Sequence, residues 1–84
     1  MMASQELFDS IQEVFRAVFE DPTLVVARET TAEDVQGWDS FAHVNLIMAL
    51  EAKFGVKFRL AEIQELTCVG DIIDVIGKKV GITA

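Results

Sequence analysis

Residues able to do chemistry meet in the middle of the chain, in the run Trp38-Asp39-Ser40-Phe41. We expect Ser40 to stand where a loop ends and an apolar helix begins, with its hydroxyl exposed at the helix N-terminus. Free backbone N–H groups and the positive end of the helix dipole converge at such a place, and together they favour a phosphate. Taken alone, an ordinary N-cap is the simpler interpretation of Ser40, because serine is a favoured capping residue.

A nucleophilic serine is a second chemical possibility. His43 follows Ser40 by three residues on the same side of the expected helix, so it could act as a base, with Asp39 orienting its ring. That arrangement also needs an oxyanion hole and a pocket, for which a small bundle has little room. The sequence therefore favours His43 as a partly buried residue at the edge of the core. It favours Trp38 as an apolar group that closes the loop over the bundle.

Size and charge set the class of protein. The chain has 84 residues and a hydrophobic content of 51%, which predicts one small folded domain over residues 1–84. The net charge of −7 belongs to residues 1–39, which hold nine acidic and two basic residues, whereas residues 40–84 are balanced. Such a field repels nucleic acid and attracts basic protein surfaces. We therefore expect protein partners and no nucleic-acid binding.

Cysteine usage and hydropathy indicate the compartment. The chain has one cysteine, Cys68, and one histidine, His43, so neither an intrachain disulfide nor a Cys/His metal cluster can form, which fits a reducing environment. Acidic residues interrupt the N-terminal region where a secretory signal would lie, and no apolar run approaches the roughly 20 residues that a membrane span requires. The sequence predicts a monomeric cytoplasmic protein without a metal site or a membrane span.

Apolar residues recur at helical spacing in four segments, and strand patterning is weak throughout. The segments cover residues 4–19, 40–54, 60–66 and 69–80. They predict an all-α fold, a small four-helix bundle with three longer helices and one short helix. Thr67 is expected to cap the last helix and Gly55 to end the second. The short third helix has an apolar stripe at Leu60, Ile63 and Leu66.

A long connection of residues 20–39 separates the first two predicted helices. Such a length without regular structure is unusual inside a compact domain and tends to be functional. Leu24, Val25 and Val26 give the connection apolar anchors, so we expect it to pack against the helices. Gly37 then permits a turn just before Ser40.

The second predicted helix has two apolar faces at about 100° per residue. The first is wide enough to be the core face and consists of Leu46, Ile47, Leu50 and Phe54. The second lies more than a quarter turn away, is named the apolar strip below, and consists of Phe41, Val44 and Met48. Either the connection covers this strip, through Leu24 to Val26, or the strip is an exposed contact surface. We favour the exposed surface, since exposed apolar patches mark interaction sites and methionine adapts to several partners.

Several stretches of the chain form a recognisable set. They are Gly37-Trp38-Asp39-Ser40-Phe41, Leu46-Ile47-Met48-Ala49-Leu50-Glu51-Ala52-Lys53-Phe54-Gly55, Val56-Lys57-Phe58 and Thr67-Cys68-Val69-Gly70-Asp71. With the amphipathic first helix and the long loop, they resemble the acyl carrier protein family over most of the chain. An Asp-Ser pair before an apolar residue is moderately specific alone, and the following helix and the acidic charge make the resemblance strong.

The resemblance implies a carrier rather than an enzyme. In this family a dedicated transferase, which supplies Mg²⁺ and the catalysis, moves 4′-phosphopantetheine from coenzyme A onto a serine. The resemblance implies that Ser40 receives the group through a phosphodiester and that Asp39 supports the attachment. The arm ends in a thiol, which carries acyl or related groups as thioesters in fatty-acid, polyketide or similar biosynthesis. The implied partners are a phosphopantetheinyl transferase and acyl-loading and acyl-transferring enzymes, such as a ligase, an acyltransferase or a ketosynthase.

The predicted second helix is less acidic than is usual in this family. Four positions that are commonly acidic hold other residues, namely Ala42, Asn45, Ala52 and Lys53. Glu51 is the acid that remains. We expect partners to contact Glu51 and to rely more on the apolar strip, that is Phe41, Val44 and Met48, or on the acidic loop. Two alternatives stay open, a peptidyl or aminoacyl carrier domain and a helical interaction module without a prosthetic group.

Overall fold

Four α-helices follow one another in the computed structural model, which describes residues 4–81. They are α1 (Ser4–Val18), α2 (Ser40–Phe54), α3 (Leu60–Glu65) and α4 (Val69–Val80). Within residues 4–81 no strand forms, and an isolated antiparallel bridge joins Thr31 to Cys68. The prediction of an all-α fold with three longer helices and one short helix is confirmed.

The core lies between α1 and the two helices that pack against it, α2 and α4. Its buried members come from every helix except α3 and from the loops: Leu7, Ile11, Val14, Phe15, Val26, Val35, Trp38, Leu46, Ile47, Leu50, Leu66, Val69, Ile72 and Ile76. Burying one such side chain contributes about 1.5–3 kcal/mol. The predicted core face of α2 is confirmed, with Phe54 half-buried at its end.

Two glycines mark the ends of the segments around α2. Gly55 has a φ of 65°, and its N–H donates to the Glu51 carbonyl, which ends α2 as its spacing predicts. Gly37 has a φ of 89° and turns the chain just before Asp39 and Ser40. A side chain at either position would strain the backbone, because L-residues rarely adopt a positive φ.

The long connection between α1 and α2 is a series of turns fastened to the helices at several points. Near α1, Val26 is buried and its N–H donates to Gln12 Oε1 over 2.9 Å, while Arg16 Nε donates to the Leu24 carbonyl over 2.7 Å. The expectation that Val25 anchors the connection is wrong, since this side chain is exposed. The prediction that the connection packs against the helices is confirmed at Val26.

The middle of the connection closes the N-terminus of α4. The Val69 N–H donates to the Thr30 carbonyl over 2.9 Å, and the Gly70 N–H donates to the Arg28 carbonyl over 2.7 Å. The first N–H groups of a helix have no partner inside it. Here a distant loop supplies the acceptors that a capping side chain would otherwise provide.

The start of α4 differs from the prediction that Thr67 caps it. Cys68 is the N-cap residue and makes no side-chain cap hydrogen bond. The Thr67 hydroxyl and N–H instead donate to Asp71 Oδ2, over 2.7 and 3.0 Å. These two bonds hold the pKa of the Asp71 carboxyl below its usual value, and the bond from the hydroxyl has the larger effect. Thr67 therefore orders the turn before α4 without capping it.

The short helix α3 is held by its polar residues more than by its apolar ones. Glu62 Oε1 accepts from the Arg59 N–H over 2.8 Å and from Lys79 Nζ over 3.0 Å, and these bonds lower the pKa of Glu62. The expected apolar stripe is wrong at Leu60, which is 71% exposed, whereas Ile63 is half-buried and Leu66 is buried. A six-residue helix turns too little surface inward to bury all three.

We expect Gly70→Ala to lower the free energy of unfolding, although alanine in a helix normally stabilises it relative to glycine. An ideal Cβ on Gly70 would lie 3.0 Å from the Arg28 carbonyl oxygen. That oxygen cannot retreat without lengthening its 2.7 Å hydrogen bond to the Gly70 N–H. The expected loss is about 1–2 kcal/mol, as for overpacking a tight site, and urea denaturation measures it.

Asp74→Ala is the matched control, because Asp74 pairs with the same Arg28 through its exposed guanidinium over 3.0 Å. An exposed ion pair contributes about 0.2–1 kcal/mol, so this variant should lose less stability than Gly70→Ala. A Gly70→Ala protein as stable as the wild type would contradict the close approach of the loop to α4.

Candidate functional site

Ser40 is the first residue of α2, and Asp39 before it is the N-cap. Asp39 has an extended backbone, with φ −103° and ψ −171°, and its Oδ1 accepts from the Ala42 N–H over 2.8 Å. Its carbonyl accepts the first helical hydrogen bond, from the His43 N–H over 2.9 Å. The interpretation of Ser40 as an ordinary N-cap is therefore wrong. Capping is the work of its neighbour, and Ser40 is exposed.

Two backbone donors are left at this end of α2. Of the first four N–H groups, those of Ala42 and His43 are bonded to Asp39. The N–H groups of Ser40 and Phe41 have no acceptor within residues 4–81. They lie at the positive end of the helix dipole, a setting that stabilises an anion by roughly 0.3–1 kcal/mol. Both residues are exposed.

Trp38 anchors the loop that leads into Ser40 to the core. This side chain is 8% exposed and packs edge-on against the ring of Phe15, with centroids 5.3 Å apart, and against Phe19, at 6.2 Å. The expectation that Trp38 closes the loop over the bundle is confirmed. Its ring N–H is hydrogen-bonded, since Trp38 Nε1 donates to His43 Nδ1 over 3.0 Å.

The geometry of His43 and Asp39 does not match a catalytic triad with Ser40. In a triad the histidine Nδ1–H donates to an acid, which orients the ring. Here His43 Nδ1 accepts a hydrogen bond from Trp38. The Asp39 carboxylate is turned to the Ala42 N–H. His43 is half-buried at the edge of the core, as its position in the sequence predicts.

The apolar strip of α2 is exposed. Phe41, Val44 and Met48 are 77%, 54% and 60% exposed. The alternative that Leu24 to Val26 cover the strip is wrong, because Val26 is buried in the core and Val25 faces solvent. The exposed interpretation of the strip is thus the one that the structure supports.

Glu51 is placed differently from the three strip residues. It is half-buried, and its Oε2 accepts from the Phe58 N–H over 2.8 Å. It therefore fastens the loop between α2 and α3. Lys53, one turn away from the strip, lies 3.8 Å from Glu13 of α1.

Two features of this region were absent from the sequence-based expectations. One is the hydrogen bond between Trp38 and His43. The spacing of these two residues could have indicated a contact, because side chains directly before the N-cap and at the fourth helical position commonly pack together. The other is the exposure of Leu60 at the start of α3.

No group of three or more His, Cys, Asp or Glu side chains within residues 4–81 is arranged to hold a metal ion. None of the helices there combines the length and the apolar character needed to cross a membrane.

Comparison with known proteins gives the family. A family model described as a phosphopantetheine attachment site matches residues 9–76. The acyl carrier protein of Thermotoga maritima is 32% identical over 81 residues, which cover 96% of this chain and 100% of that protein. An acyl carrier protein of Thermosynechococcus vestitus is 45% identical over 60 residues, covering 71% of this chain and 73% of that protein.

A solved structure agrees with these relatives. The solution NMR structure of a holo acyl carrier protein from Geobacter metallireducens is similar to this chain with a TM-score of 0.84 and 44% sequence identity, over 89% of this chain and 86% of that one. Proteins of this family are carriers acted on by a phosphopantetheinyl transferase and by acyl-handling enzymes, and their cofactor is a covalently attached phosphopantetheine. On the family model, the relatives and the fold together, this chain belongs to the acyl carrier protein family.

Proposed function

We propose that Ser40 holds the phosphopantetheine arm and that residues 1–84 form one carrier domain. The observation that carries the proposal is the exposed serine at the first position of α2, relieved of capping by Asp39. The family match of residues 9–76 includes it. When bound, the group supplies a terminal thiol on which acyl groups are carried as thioesters.

The residues around Ser40 fit a phosphodiester. The N–H groups of Ser40 and Phe41 have no acceptor within residues 4–81, and the dipole of α2 favours a negative group at this end of the helix. Because Ser40 is exposed, an arm attached to it would have access to solvent. The chain itself contributes a hydroxyl and its placement, while the transferase contributes the catalysis.

Asp39 supports the attachment in two ways under this proposal. Its Oδ1 holds the Ala42 N–H and so fixes the turn on which Ser40 stands. Its other oxygen has no hydrogen-bond partner within residues 4–81, and the side chain is exposed. That oxygen is available to a cationic group of the transferase, since charge contacts at an interface guide encounter and orientation.

The apolar strip is the surface that we propose for partner enzymes. Phe41 lies directly after Ser40, and Val44 and Met48 continue the strip along the next two turns of α2. A partner enzyme that binds this strip would therefore have the arm at one end of the interface. Glu51 adds to docking indirectly, by holding the loop before α3 in place. Ligases, acyltransferases and ketosynthases are the partner classes that handle such cargo.

The cellular setting is part of the same proposal. We propose a monomeric carrier in the cytoplasm, serving fatty-acid, polyketide or similar biosynthesis. The lone Cys68 fits a reducing compartment, and the relatives named above are acyl rather than aminoacyl carriers.

The attachment is tested by intact mass. After incubation with coenzyme A, Mg²⁺ and a broad-specificity phosphopantetheinyl transferase, the wild-type chain should gain the mass of one phosphopantetheine. Ser40→Ala should gain none, because it lacks the hydroxyl that forms the phosphodiester. Ser10→Ala is the matched control and should be modified like the wild type. Modification of the Ser40→Ala chain would show that another residue is the attachment site.

Substitution of Asp39 should separate capping from charge. Asp39→Ala should lower the free energy of unfolding by about 1 kcal/mol, the usual contribution of an N-cap. Asp39→Asn should retain that stability, since asparagine caps equally well. Both variants should slow phosphopantetheine transfer by about tenfold through loss of the charge contact. Thermal unfolding and transferase kinetics measure the two effects, and an unchanged transfer rate in both variants would contradict the role of Asp39.

Met48→Glu should weaken acyl transfer by partner enzymes at least tenfold in kcat/KM, since it places a charge in a desolvated contact. The melting temperature should change little, because Met48 is exposed. Ala17→Glu, an exposed change on α1, is the control and should leave transfer unchanged. A large loss of stability in Met48→Glu would mean that the strip packs inside the protein.

A further inference from the structure

We propose that the hydrogen bond between Trp38 and His43 is a clasp that positions Ser40 for phosphopantetheine attachment, an inference that rests on the proposed function of Ser40. In this role His43 is a positioning residue, and it takes no part in the proton transfer. The clasp consists of Trp38 Nε1 donating to His43 Nδ1 over 3.0 Å, with the two ring centroids 5.9 Å apart and an interplanar angle of 19°.

The two residues of the clasp lie on either side of Ser40 in the sequence. Trp38 precedes the N-cap Asp39, and His43 is the fourth residue of α2, so Ser40 lies between the two partners. A second bond, from the Ala42 N–H to Asp39, lies within the same span. Apolar residues at these two positions often pack together and fix the angle at which a chain enters a helix. Here a directional hydrogen bond is added to the ring contact.

The clasp is anchored to the core through Trp38. Its indole ring packs against Phe15 and Phe19 at the end of α1. The buried ring N–H needs an acceptor, because leaving a buried donor unpaired is costly. His43 is the residue that supplies it. The first turn of α2 is thereby tied to α1 by a bond that breaks if the turn frays.

Fraying matters here because the reacting atom is on the first residue of the helix. During attachment the Ser40 hydroxyl oxygen forms a bond to phosphorus, the bond from that phosphorus to the nucleotide half of coenzyme A breaks, and the hydroxyl proton goes to a base of the transferase. Rates of such steps depend on how often the reacting atoms reach near-attack geometry. A first turn held by the clasp presents the hydroxyl in one position. A frayed turn distributes it over many.

Transferase kinetics on a double-mutant cycle test the clasp. His43→Leu removes the acceptor, and Trp38→Phe removes the donor while retaining a ring against Phe15. Each should lower kcat/KM for phosphopantetheine transfer by roughly five- to tenfold. The double variant should be no slower than the slower single variant, because both changes remove the same bond. His43→Asn, whose Oδ1 can take the place of Nδ1, should restore most of the rate.

A control separates positioning from general stability. Gln12→Leu removes the bond from the Val26 N–H to Gln12, a similar half-buried contact far from Ser40 along the chain. It should lower the melting temperature about as much as His43→Leu and leave kcat/KM unchanged. Amide hydrogen exchange of the unmodified chain gives a readout that needs no transferase. The Ala42 N–H should exchange several-fold faster in His43→Leu and Trp38→Phe, and at the wild-type rate in Gln12→Leu.

The outcomes distinguish this inference from the proposed function. If the wild-type chain gains no phosphopantetheine, the proposed function of Ser40 fails and the role of the clasp in attachment fails with it, whereas faster exchange at Ala42 in His43→Leu would still show that the bond holds the first turn of α2. If the wild type is modified and His43→Leu is modified at the same rate with unchanged exchange at Ala42, the clasp is wrong. Losses that add in the double variant, or an equal loss of rate in Gln12→Leu, would likewise overturn it.

Discussion

The hydrogen bond from the Ala42 N–H to the Asp39 carboxylate decides where α2 begins, and the site depends on that boundary. If the helix began one residue later, Ser40 would be the cap and its hydroxyl would be turned to the backbone. Because Asp39 is the cap, Ser40 is an exposed residue on the first turn, where the N–H groups of Ser40 and Phe41 have no acceptor within residues 4–81. Because of this one side-chain bond, Asp39 caps the helix, and Ser40 is not needed as the cap and can react.

The rest of the fold holds that turn still from two directions. Trp38 ties it to the aromatic end of α1, and the long connection is fastened to α4 through the Thr30 and Arg28 carbonyls. These contacts order a connection of about twenty residues without a strand or a helix of its own. A carrier needs no pocket for catalysis, since its partners supply one. It needs a rigid base for the arm and an exposed surface beside it, and α2 provides both on adjoining faces.

Much of this architecture could be predicted from the sequence because apolar spacing reports helix faces directly. It identified all four helices and the two faces of α2, and the motif around Ser40 indicated the family. Boundaries were less accessible. Asp39 and Ser40 are both favoured N-cap residues, so local preference could not choose between them. At the start of α4 local preference favours Thr67, although Cys68 is the N-cap residue. The acceptors for α4 come from a distant loop, and the Trp38–His43 bond depends on side-chain geometry, which neither composition nor periodicity contains.

The central claim is that this exposed serine, and no other residue, bears the prosthetic group. Fragment mass spectrometry of the holo chain tests it most directly, because the sequence offers Ser4 and Ser10 as other serines in α1. We expect every fragment that retains phosphopantetheine to contain Ser40, and fragments of α1 to be unmodified. A phosphopantetheine found on a fragment that lacks Ser40 would contradict the account.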